Sequence, residues 1–203
     1  MAQHNPEVDT LSSRNSRERI LDAARGLFEA RGHAGVSMAE IAAAAGVSRQ
    51  AVYLHFADRA ALMLALVEHV DQSRSLASEL RKLWEAPDAI TALRGGVSLQ
   101  ARLNPQIWAV ARALDAVRRT DEAAEKGWQD RLQRRLESCR RLAARLEREG
   151  KLKPGLDPAS AADLLWTITS LRMWEDHVLD RGWSAKRYEK HVRALVLAGL
   201  TKG

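Results

Sequence analysis

Apolar residues recur along most of this chain at spacings of three and four, and no stretch sustains the apolar/polar alternation of a half-buried strand. The pattern predicts an all-α protein of about nine helices. Between Asn15 and Arg31, the residues Ile20, Leu21, Ala24, Leu27 and Phe28 make one stripe, and Gly32 ends the helix because it tolerates a left-handed cap. A short helix is predicted from Met38 to Ala45, with Ser37 as N-cap and Glu40 three residues on, as in a capping box. Gly46 ends it, and Ser48 caps a third helix over Arg49 to Phe56. Asp58 caps a longer fourth that runs through Leu62, Leu66, Val70 and Leu80. Beyond Pro87 the predicted helices cover 88–103, 105–119, 121–149, 158–180 and 184–201. Pro105 and Pro158 are placed in first turns, after Asn104 and Asp157 as caps.

Composition narrows the class. The chain has 203 residues, 46% hydrophobic and 29% charged, with five prolines. It shows no run of about 18 apolar residues, so neither a disordered chain nor a transmembrane protein is expected. The first ten residues have no basic start and no apolar stretch, and no secretory leader is expected. The single cysteine, Cys139, permits no internal disulfide and suits a reducing cytoplasm. The net charge of +6 invites a nucleic-acid reading, but its location argues otherwise. Residues 1–59 carry seven basic and seven acidic residues, whereas 112–153 carry thirteen against eight. The mid-chain arginines Arg131, Arg134, Arg135, Arg140, Arg141, Arg145 and Arg148 read as a solvated helix face. A DNA-binding reading must therefore rest on a motif.

Residues 38–57 supply one. Ala42 is small where two helices cross nearly at right angles, Gly46 makes the turn, and Ile41, Val47 and Val52 bury the inner faces. With Ser48 capping the second helix, this is the pattern of a helix-turn-helix. Ser48, Arg49 and Gln50 then lie at the N-terminal end of the recognition helix, the end that enters the major groove, and are expected to read bases. Arginine matches the two acceptors of guanine, and glutamine pairs with adenine.

The stretch from Arg17 to Leu66 resembles the N-terminal domain of TetR-family transcriptional regulators. The residues that carry the resemblance are Ile20 to Ala24, Leu27-Phe28, Gly32, Ser37-Met38, Ile41-Ala42, Ala45 to Ser48, Val52 to Phe56, Arg59 and Leu62. It implies that Ser37, Tyr53, His55 and Arg59 contact phosphate, with Arg59 standing where the family most often has lysine. Gln50 departs from the small residues common there. The resemblance further implies a DNA-binding domain with an N-terminal arm over 1–59 and a helical ligand-binding and dimerisation domain over 60–203. Its last two long helices would form a homodimer seam, and an effector would move the fourth helix and weaken operator binding. Repression of a palindromic operator is the family's usual mode.

All six tryptophans follow the helix-turn-helix motif, against two tyrosines and two phenylalanines in the whole chain. Packing and a ligand cavity both use such surfaces. Helix 158–180 divides into two stripes. Leu164, Ile168, Leu171, Glu175 and Val178 are taken as dimer seam, with Tyr188, Val192, Leu195, Val196 and Gly199 from the last helix. Trp166, Thr169, Ser170, Met173 and His177 are taken as the wall of a site for a small apolar or aromatic effector, completed by Trp84, Trp108 and Trp128. The two roles are interchangeable at this stage. The rival classes are a helical protein-interaction module and a small helical enzyme. No nucleophile elbow, P-loop, CxxC or HExxH pattern supports an enzyme, and no cofactor or metal site is expected.

Overall fold

The computed structural model describes residues 6–31, 36–71 and 74–202. Among these residues the helices are α1 (Pro6–Arg31), α2 (Met38–Ala45), α3 (Arg49–His55), α4 (Arg59–Asp71), α5 (Arg74–Trp84), α6 (Ala89–Val117), α7 (Glu122–Arg148), α8 (Pro158–Ile168), α9 (Leu171–Trp174) and α10 (Ala185–Leu200). A π-helical turn, Glu175–Asp180, follows α9. The all-helical class stands, and the one β-type pairing among the described residues is an isolated bridge between Leu152 and Thr201. The expected stop at Gly32 lies outside the described residues.

The chain divides into two compact units, one of Met1–Gln72 with Ile107–Trp128, the other of Ser73–Gln106 with Gln129–Gly203. In the first, Ile20, Leu21 and Phe28 of α1, Ile41 of α2, Val52 of α3 and Leu62, Met63 and Leu66 of α4 form one buried cluster with Val110 and Leu114 of α6. Each such side chain contributes about 1.5–3 kcal/mol by leaving water. The α1 stripe thus does what its periodicity requires. In the second unit Leu93 and Val97 of α6, Leu142 and Leu146 of α7, Leu165 of α8, and Tyr188, Val192, Val196 and Leu200 of α10 are buried.

Three predicted boundaries move. The fourth helix divides into α4 and α5, with residues 72 and 73 outside the described set. Helices 88–103 and 105–119 are one helix, α6, which passes through Pro105. Asn104 is therefore no cap: it is fully buried, and its Oδ1 accepts a 2.7 Å hydrogen bond from Gln100 Nε2. A proline costs an interior helix one hydrogen bond and some crowding. Here the apolar face on both sides of it, from Leu93 to Leu114, is buried and outweighs that loss. The third change is in helix 158–180, which breaks after Ile168. The Thr169 hydroxyl donates back to the Leu165 carbonyl at 2.7 Å, and Ser170 Oγ accepts from the Met173 N–H at 3.1 Å, starting α9 anew. Side chains that compete for backbone groups end helices in this way.

Candidate functional site

The helix-turn-helix is built from its caps outward. Ser37 Oγ accepts from the Glu40 N–H at 3.2 Å while Glu40 Oε2 accepts from the Ser37 N–H at 2.9 Å, completing the capping box. These bonds, with Arg31 at 2.6 Å, hold the Glu40 carboxyl below its ordinary pKa; the Ser37 N–H is the largest cause. Gly46 adopts φ 64°, which a side chain would strain, and its N–H returns to the Ala42 and Ala43 carbonyls. Arg19 of α1 closes the same end, donating to the Ala45 and Gly46 carbonyls at 2.5 and 3.1 Å. A cation there also meets the negative end of the α2 dipole. Ser48 caps α3 by accepting from Ala51 N–H at 3.1 Å.

Val52 and Phe56 face inward, so α3 presents the other side to solvent. Ser48, Arg49 and Gln50 are exposed, Tyr53 is 41% exposed, and His55 is half-buried. Gln50 makes no hydrogen bond among the described residues, leaving its amide available for a base edge. The Arg49 guanidinium lies 5.7 Å from the Tyr53 ring centre. Sequence reasoning passed over Leu54, which is 80% exposed beside Tyr53. The signal was present: an apolar residue outside the Val52 and Phe56 stripe has no core to enter.

Charge counts had left this region neutral. Pairing changes that. Arg25 meets Glu29, Arg31 meets Glu40, and His69 lies 3.0 Å from Asp22. Arg17, Arg49 and Arg59 have no carboxylate partner among the described residues. Arg17 stacks over Phe56 at 5.4 Å. Arg59 turns inward, donating to the Val36 carbonyl and lying 5.8 Å from the Phe28 ring centre. One guanidinium nitrogen is spent on the fold.

The expected effector residues are divided between the two units. Trp108 and Trp128 belong to the first unit and pack against its core, with Arg118 over the Trp128 ring at 5.2 Å. Trp84 belongs to the second unit and carries Arg141 at 4.0 Å. Ser170 serves as the α9 cap. The Met173 carbonyl accepts from His177 Nδ1 of the π turn at 2.8 Å, and the His177 ring meets Trp183 edge-on at 4.7 Å. Trp166 sits with its ring centre 5.1 Å from Arg135. Arg135 itself corrects the reading of the arginine run as a solvated face, for it donates to the Trp166 carbonyl and, at 2.9 Å, to Thr169 Oγ1. Arg145 likewise braces the second unit, donating to Ala86 O at 2.6 Å and to Glu149 at 2.7 Å.

The expected seam also divides. Tyr188, Val192 and Val196 are buried within their own chain, because α10 packs that face on α8 and the second core. Leu164 on α8 and Leu195 on α10 are 43% and 47% exposed, and Ile168, Leu171, Val178 and Gly199 are half-buried. A Cβ at Gly199 would meet nothing within 4 Å in the chain.

This geometry has known counterparts. The family model for bacterial regulatory proteins of the tetR family matches residues 20–66, from within α1 to within α4. The transcriptional repressor AcnR of Corynebacterium efficiens is 32% identical over 102 residues, 45% of this chain and 54% of its own. The chain spans about half the length of that curated relative. NalD, secondary repressor of the MexAB-OprM multidrug efflux pump in Pseudomonas aeruginosa, is 27% identical with a TM-score of 0.64, over 94% of this chain and 98% of its own. A complex of SmeT with triclosan shares the fold at a TM-score of 0.67, with 23% identity over 92% of each chain. Residues 20–66 thus carry the pattern of the tetR family of bacterial regulatory proteins, and the curated relatives that the chain resembles are transcriptional regulators. No helix among the described residues is long and apolar enough to cross a membrane.

Proposed function

We propose that the protein is a cytoplasmic, ligand-responsive repressor that binds a near-palindromic DNA operator as a homodimer. The observation that carries this reading is the outward face of α3, where Arg49, Gln50, Tyr53 and Leu54 stand exposed, and where Arg49, like Arg17 and Arg59, has no carboxylate partner among the described residues. Arg49 and Gln50 read base edges, Leu54 meets a thymine methyl, and Tyr53, His55, Ser37 and the free edge of Arg59 approach phosphate. Residues 1–59 form the DNA-binding part and 60–203 the regulatory part. A two-fold dimer presents its recognition helices about 34–36 Å apart, so half-sites repeat at one helical turn or a multiple of it. The relatives support repression: AcnR and NalD are named repressors.

The effector site lies in the second unit around Trp166, Met173 and His177, and the seam around Leu164, Ile168, Leu171 and Leu195. SmeT in complex with triclosan supports an aromatic ligand for a protein of this fold. To release the operator, the effector must bind the non-operator arrangement more tightly than the bound one. Selection from random duplex DNA followed by mobility shift tests the proposal. An enriched sequence with two-fold symmetry, bound by dimers, is the expected result; no enrichment over random duplex rejects it.

A further inference from the structure

Helices α6, α7, α8 and α10 of the second unit bring together a set of polar groups rich in hydrogen-bond donors. Asn104 on α6 is fully buried, and its Nδ2 has no hydrogen-bond partner among the described residues. The same holds for the Tyr188 hydroxyl on α10 and the Trp166 indole N–H on α8. Tyr188 is 1% exposed, with Asn104 and Arg135 both beside its hydroxyl. Arg135 on α7, itself half-buried, completes the group. Its two hydrogen bonds go to a neutral carbonyl and a hydroxyl, and no carboxylate pairs with it among the described residues.

The inventory is one-sided. Indole N–H, amide N–H and guanidinium are donors only, and the phenol can donate too. Burial pushes the Tyr188 phenol up to about 12, so it keeps its proton at neutral pH. Burial also lowers the Arg135 guanidinium from its ordinary value, yet arginine stays charged in proteins. A buried cation without a counter-ion is costly, and so are buried donors without acceptors. Water satisfies the donors but leaves the charge unbalanced. A phosphate dianion over-balances a single arginine, and an ammonium meets like charge. A carboxylate brings one negative charge and about four lone-pair sites on two oxygens.

We propose that Arg135, Asn104, Trp166 and Tyr188 bind the carboxylate of a small organic acid, and that this is the chemical class of the effector. The assignment as effector rests on the regulator reading above; the binding site itself does not. The test titrates the full-length protein calorimetrically with octanoate, octan-1-ol and octylamine, which share one body and differ in head group, and with benzoate against benzyl alcohol. A carboxylate probe should bind at least tenfold more tightly than its neutral and cationic counterparts. Arg135→Met and Tyr188→Phe should each weaken it at least tenfold. Tyr188→Phe removes an oxygen whose polar neighbours are Asn104 and Arg135 and leaves the buried ring in place, so it should stay folded by thermal melting and decides the matter if Arg135→Met does not fold. Equal binding of all head groups, no binding of either acid, or undiminished binding by Tyr188→Phe overturns the site. If octanoate binds through these residues while no duplex is selected, the regulator reading fails and the site stands. If an operator is selected and neither acid binds, the site alone fails.

Discussion

Gln50 and Arg59 both lie near the proposed DNA surface, but their surroundings give them separable roles. Gln50 makes no hydrogen bond among the described residues and is exposed, so Gln50→Ala should leave thermal melting unchanged. It should change the selected operator and cost about 1–3 kcal/mol on the best site. Arg59 supports the Val36 carbonyl as well as offering charge. Arg59→Ala should lower the melting temperature and reduce the salt slope of binding by about one contact, across all sequences alike. An unchanged operator for Gln50→Ala would remove it from base reading. Glu40 gives a pH signature. Its folded pKa is lowered by Ser37 and Arg31. The ionised form is thus favoured in the folded state, and its stabilisation is fully present above the unfolded carboxylate value. It is lost as pH falls through the lower folded value. Glu40→Gln should therefore melt below wild type at neutral pH, with the gap closing in acid. A gap that persists at low pH would mean the cap acts by shape alone.

At the scale of elements, two backbone positions make opposite predictions. Pro105 lies inside α6 and cannot donate to the Ala101 carbonyl, so Pro105→Ala restores a helical hydrogen bond. It should raise stability by about 1–3 kcal/mol, read by denaturant unfolding. Loss of stability would show that α6 needs the proline for its path. Gly46 carries the left-handed turn, and a Cβ there would also approach Arg19 Nη2 to 3.0 Å. Gly46→Ala should destabilise by about 1–2 kcal/mol and weaken operator binding, because the turn sets the angle between α2 and α3. The break between α8 and α9 belongs to the same scale. Thr169 and Ser170 redirect the chain through their hydroxyls, and the residues after them leave the stripe that a continuous helix would have given.

For the whole molecule, the assembly prediction turns on which leucines the fold leaves outside. Leu164→Arg and Leu195→Arg place cations on exposed positions of α8 and α10. They should yield folded monomers by sedimentation, with native circular dichroism and weakened operator binding, because an unpaired charge buried in a two-fold seam appears in both subunits. Val196→Arg should instead unfold the chain, since Val196 is fully buried. Stable dimers from both leucine variants, at wild-type operator affinity, would move the seam elsewhere.

Local information was enough for much of this protein. Helix content, the α1 stripe, the capping box at Ser37 and Glu40 and the turn at Gly46 depend on neighbours within about four residues, and periodicity and cap chemistry reported them directly. The exposed face of α3 followed from the same periodicity, because Val52 and Phe56 define its inner side. Pairing over long sequence distances was invisible. That Asn104 is buried inside one long helix depends on packing that outweighs Pro105, and that Arg135 leaves the solvated face depends on Trp166 and Thr169, some thirty residues on. Periodicity also marked an apolar stripe on α10 without saying what covers it. The fold used Tyr188, Val192 and Val196 for its own core and left Leu195 outside, because a helix packed on its neighbour has only one face left to offer.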